Sequence, residues 1–149
     1  MKENWYIALK FALDHEGIHS NDPVDPGGDT KYGIARKFHP DLTPAQWGDF
    51  TLADAEKIYK RDYWDACNCD SLAYPLDIVV FDTAVNCGCK KAKELRSKCI
   101  NFKHYIQLRK AYYEELVNQK PKLGKFLHGW LNRCDDLIKQ YNPNKEEMT

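Results

Sequence analysis

Glu16 is the residue of this sequence whose type and place point most directly to chemistry. Trp5, Ala8, Leu9, Ala12 and Leu13 recur at helical spacing, and Glu16 continues their stripe, three residues after Leu13 and four after Ala12. A carboxylate on the apolar side of a helix is desolvated, and near the C-terminal end it also meets the negative pole of the helix dipole. Both effects favour the neutral acid. Such an acid can protonate a leaving-group oxygen, the first requirement of glycoside hydrolysis. The same spacing also fits a glutamate at a frayed helix end that points to water. A second carboxylate tips the balance, because glycosidic cleavage typically uses two. The following segment offers Asp22, Asp25 and Asp29, with Thr30 placed to hold a water or to pair with a turn backbone. Each aspartate alone is an ordinary turn residue. Together they set several acids on a segment able to fold back over Glu16.

The elements that must position these groups are mostly helices. Residues 17 to 30 hold prolines, glycines and polar turn-formers, which end the first helix and predict a structured loop or small hairpin. Thr43-Pro44 and Thr51 are helix starts, the second leading a stripe of Ala55, Ile58, Tyr59 and Tyr63. Pro75 opens a third start. Its Asp77–Phe81 stretch has strand propensity, but the apolar pattern runs on past Thr83 to Gly88, which predicts a buried helix. Asn101 caps the next helix and Pro121 stops it. The last carries Phe126, Leu127, Trp130, Leu131, Cys134, Leu137, Ile138 and Tyr141, followed by a polar tail after Asn142. The expected fold is all-α, about six helices in one domain of residues 1–149.

Composition narrows the function classes. Apolar residues make up 43 % and charged residues 30 % of 149, as in an ordinary soluble domain. Basic and acidic residues balance at 22 each, which argues against a general nucleic-acid binder. The basic span from Lys90 to Lys103 is read first as a solvated helix face and second as an attraction to an anionic wall. No stretch is long and apolar enough to insert in a membrane, and the first residues lack the layout of a secretory signal. Six cysteines include two Cys-x-Cys pairs, Cys67/Cys69 and Cys87/Cys89. Free thiols, disulfides and a four-thiolate zinc site all stay open, although one intervening residue is short for zinc. No metal or other cofactor is expected.

The remaining conspicuous residues take structural readings first. Trp130, Tyr112 and Tyr113 fit helical stripes. Trp64 or Tyr74, near helix ends, is a candidate to stack on a sugar. Asn86 either bonds a glycan N-acetyl group or caps its helix. Asp82 is a candidate for a buried salt bridge with Arg133 or Arg36. His15, His39, His104 and His128 show no ligand spacing.

The segment from Glu16 to Ile34 resembles the hallmark of glycoside hydrolase family 108, bacterial and phage muramidases of the lysozyme-like superfamily. The family pattern is matched at Glu16, Gly17, Asn21, Asp22, Pro23, Asp25, Gly27, Gly28, Thr30, Gly33 and Ile34. The stretch Phe81 to Gly88 looks like the family's Phe-Asp-x-x-x-Asn-x-Gly helix. Phe126 to Arg133 resembles the Gly-Trp-x-x-Arg motif of a peptidoglycan-binding segment that follows the catalytic part. The resemblance implies a lysozyme-like fold, with a catalytic part at 1–90 and a helical wall-binding part at 91–149. It implies Glu16 as the catalytic acid, Asp25 as the preferred second carboxylate with Asp22 as alternative, and Thr30 beside them. Asp22, Tyr32 and Asn86 are then glycan contacts. The implied partner is bacterial peptidoglycan, cut at the β-1,4 bond between N-acetylmuramic acid and N-acetylglucosamine by a monomer. A phage endolysin made in the host cytoplasm and acting on the wall fits the missing signal. A lytic transglycosylase and a non-catalytic wall-binding or assembly module are the alternatives. Ile18 and His19 depart from the family, which has glycine and an aromatic there.

Overall fold

The computed structural model describes residues 2–16, 19–21 and 29–141. Helix α1 (Trp5–His15) buries Ala8, Leu9, Phe11 and Ala12, the face that the sequence spacing predicts. It stops where Glu16 turns extended, φ −94° and ψ 153°, while the Glu16 N–H still closes the last turn on the Ala12 carbonyl. An antiparallel sheet follows, β1 (His19–Asn21), β2 (Asp29–Lys31) and β3 (Ile34–Ala35). Ser20 faces Thr30 across the first pair, and Thr30 faces Ala35 across the second. The expected hairpin is therefore a three-stranded meander. Tyr32 and Gly33 join β2 to β3 with φ of 51° and 80°. Two successive positive φ values make the tight turn whose twist suits a hairpin.

Helices α2 (Pro44–Gly48) and α3 (Leu52–Tyr59) begin at Thr43 and Thr51, each in a reciprocal capping box, with Gln46 and Asp54. One π-helical turn, Lys60–Asp65, extends α3 and sinks Trp64 fully into the core. That burial removes Trp64 from the candidate sugar platforms; Tyr74 remains 47 % exposed. Helix α4 (Leu76–Cys87) is buried at every position from Asp77 to Ala84, as befits a helix enclosed on all sides. It ends at Gly88, φ 91°.

Helix α5 (Cys89–Lys98) buries only Ala92 and Leu95, so most of the basic span is a solvated face. It is the helix beyond the six expected. Helices α6 (Phe102–Gln119), capped by Asn101, and α7 (Gly124–Tyr141) complete the order. Helix α4 packs against α1, α5 and α6, and α6 against α7. Trp5 and Trp64 meet Phe81 edge-on at 5.4 and 5.6 Å, at the centre of a continuous core running from Ala8 to Leu137. Trp130 stacks on Tyr113 at 4.9 Å, the structural role expected of both. Among the described residues no helix is long and apolar enough to cross a membrane.

Candidate active site

Glu16 caps α1 with its side chain 22 % exposed, and it meets a guanidinium rather than an apolar wall. Arg133 of α7 donates from Nη1 to Glu16 Oε1 at 2.8 Å. The other edge of the same guanidinium grips Asp82 of α4, Nε to Oδ2 at 2.9 Å and Nη2 to Oδ1 at 2.6 Å. Asp82 is fully buried and Arg133 is 5 % exposed. Of the two partners considered for Asp82, Arg133 is the one in place, and Arg109 of α6 joins it. Arg109 Nη2 lies 2.9 Å from Asp82 Oδ2, a charge contact without hydrogen-bond alignment. Arg109 Nε donates to the Tyr113 hydroxyl at 2.9 Å, and that hydroxyl donates to Asn86 Oδ1.

Charge runs alternately along this line: Glu16, Arg133, Asp82, Arg109. Two carboxylates and two guanidiniums compensate one another, so no buried charge is left alone. Burial pushes the Asp82 carboxyl up, but Arg133 and Arg109 outweigh it and hold the group below the usual carboxylate range. Burial likewise opposes the Arg133 charge, and Asp82 and Glu16 overcome it, so the guanidinium holds its proton more firmly than in water.

The opposite side of Glu16 is set by the β2–β3 turn. A Cβ on Gly33 would come 2.7 Å from Glu16 Cγ and 2.8 Å from its Cβ. Only glycine allows this approach, and the positive φ favours it as well. The buried Tyr59 hydroxyl donates to the Tyr32 carbonyl and fixes the turn. Burial first, and the Glu16 charge second, push the Tyr59 phenol up. Trp47 Nε1 donates to Asp29 at 3.1 Å, and Lys31 Nζ to the Trp47 carbonyl at 2.6 Å, pinning β2 on α2.

The structure thus brings Glu16 together with the turn of Tyr32 and Gly33, and with Arg133 from the far end of the chain. Thr30 is half-buried in the middle strand. Asn86 points its carboxamide oxygen at Tyr113 and the Cys87 thiol, an internal role besides the two expected for it. Asp22, Asp25, Gly17 and Ile18 lie outside the described residues. His19 opens β1. A groove between α2 and α3, lined by apolar residues such as Leu42, Phe50 and Ile58 and by charged ones such as Asp49, Lys57 and Arg61, does not include Glu16.

Sequence reasoning missed Arg109. Its signal was present, three residues after Ile106 and four before Tyr113, a charge on the buried stripe of α6. All six cysteines are free thiols, and among the described residues no cluster of histidine, cysteine or carboxylate side chains is arranged to hold a metal.

The fold sets Glu16 at the end of its first helix, against a small sheet, and the class of the protein follows from its family. The chain belongs to glycosyl hydrolase family 108, whose family model matches residues 9–88, more than half its length. The solved structure of Brucella abortus SagA shares the all-α, lysozyme-like fold, with a TM-score of 0.71, 22 % identity and 94 % of each chain covered. No curated protein matches the sequence.

Proposed function

We propose that this chain, a peptidoglycan hydrolase in general terms by family, is an N-acetylmuramidase of the lysozyme type. It cuts the β-1,4 bond between N-acetylmuramic acid and N-acetylglucosamine, with Glu16 as general acid. The observation that carries this reading is the fixed geometry of Glu16, held between Arg133 and the Gly33 turn. In this reading the protonated form of Glu16 is the reacting one: Oε2, the oxygen not held by Arg133, delivers the proton to the glycosidic oxygen, and the carboxylate left behind is the form that pairs with Arg133. That interaction strengthens along the reaction, which is what accelerates a chemical step. The two-edged bond to Asp82 holds the Arg133 guanidinium in place beside Glu16.

Asp25 serves as the second carboxylate, activating water or steadying the positively charged ring, with Asp22 as the alternative. Thr30 holds the water, while Asp22, Tyr32 and Asn86 contact the glycan. Residues 91–149 contribute wall binding. The protein acts as a monomer without a cofactor, reaching the wall from the host cytoplasm as endolysins do, through a membrane lesion made by a partner.

Mass analysis of the ends released from purified peptidoglycan tests the reaction. Reducing N-acetylmuramic acid ends, absent with Glu16→Gln, support the muramidase. Anhydro sugar ends replace it with a lytic transglycosylase. Sedimentation with the glycan and no released ends replaces it with a binding module.

A further inference from the structure

One cysteine of each Cys-x-Cys pair meets a cysteine of the other in space. Cys67, in the turn after the π-helical segment, donates its thiol to the sulfur of Cys89 across 2.7 Å. We propose that Cys89 and Cys67 form a thiol–disulfide exchange site that accepts low-molecular-weight disulfides and closes to an intramolecular bridge. The two thiols are not equivalent. Cys89 is the first residue of α5, half-buried, with Lys93 one turn further along the helix. A helix N-terminus and a nearby ammonium both stabilise a thiolate. The Cys67 hydrogen bond, then Lys93, hold the Cys89 thiol below its ordinary range against the opposing effects of burial and of the Asp62 charge. Cys67 is 6 % exposed, and its bond to Cys89 together with burial keeps it protonated. Cys89 is therefore the attacking sulfur and Cys67 the resolving one.

In the first step the Cys89 thiolate attacks one sulfur of the disulfide. A new sulfur–sulfur bond forms, and the other half leaves as a thiolate that takes up the proton Cys89 gave away. Capping removes the negative charge beside Cys67, so Cys67 can now lose its proton. Its sulfur attacks that of Cys89 and expels the second half, which takes the Cys67 proton. The two cysteines lose two electrons and two protons together, and the external disulfide becomes two thiols. The bridge ties the end of the π-helical turn to the start of α5, where the Cys89 sulfur lies 3.3 Å from the Asp62 carbonyl and 3.7 Å from that of Tyr63, contacts the sulfur makes as a thiol before it is deprotonated. The closed loop contains α4, the carrier of Asp82.

The test uses the full chain and oxidised glutathione, with thiols counted after denaturation and linkages mapped by mass spectrometry without reduction. The expected result is a fall from six free thiols to four, a peptide pair joined at Cys67 and Cys89, and recovery of all six on reduction. Cys67→Ser is expected to stop at a glutathione adduct on Cys89, and Cys89→Ser to leave Cys67 unmodified. Six persistent thiols, a bridge between other cysteines, or a Cys67→Ser variant that carries no adduct on Cys89 would overturn the assignment.

Discussion

Arg133 divides one guanidinium between two carboxylates, one buried and one facing the site. Lysine cannot copy this, because a point charge has no second edge to offer. Arg133→Lys is expected to lower kcat by roughly 10–100-fold with a smaller change in KM, since a misplaced acid loses rate rather than binding. Steady-state kinetics on soluble glycan fragments checks this. Gly33→Ala places a methyl group against Glu16 and imposes a positive φ on alanine. It is expected to cost about 1–3 kcal/mol in urea unfolding and to reduce activity with it. At this scale Glu16 was legible, because its spacing from Leu13 and Ala12 set it on the inner face. Its apolar surroundings were not what formed. The partner stands 117 residues away in sequence, and periodicity within one helix says nothing of a charge delivered by another.

Helix α4 is the element on which the charged line hangs, because Asp82 receives a guanidinium from α6 and another from α7. Asp82→Asn leaves two buried cations short of their counter-charge, with an expected loss of about 3–5 kcal/mol. Its pH dependence has a definite sign. The folded carboxyl lies below its unfolded value, so the stabilisation is present above the unfolded pKa and is lost as pH falls through the folded one. The stability gap between wild type and Asp82→Asn is therefore expected to narrow below about pH 4, read from urea midpoints across the acid range. The helices with caps, at Thr43, Thr51 and Asn101, were legible as starts because a side-chain oxygen meets a backbone N–H in each. Helix α5 escaped the count because only Ala92 and Leu95 face inward, too few to set a period. Arg109 was not singled out, although its place on the α6 stripe put it inside.

On the scale of the whole molecule, the matched family segment ends at residue 88, whereas the site does not. Residues beyond it supply Arg109 and Arg133 to Asp82, and Cys134 and Leu137 to the core. Truncation after Lys90 is expected to abolish the cooperative unfolding transition, measured by circular dichroism against temperature. A truncated chain that unfolds cooperatively would mean that the first ninety residues form a core of their own. The all-α class was readable from periodicity, and the frame of the site from the Glu16–Ile34 motif. How the two ends of the chain converge on α4 was not, because long-range packing leaves no local pattern.

The most direct measurement is reducing-end release from purified peptidoglycan by wild type and Glu16→Gln, with thermal unfolding of both. The proton-donor role predicts activity in the wild type and a loss on the order of 10²–10⁴-fold in the variant, with the fold retained. A folded Glu16→Gln protein that cuts at the wild-type rate, or a wild type that releases nothing from pH 4 to 8, would contradict it.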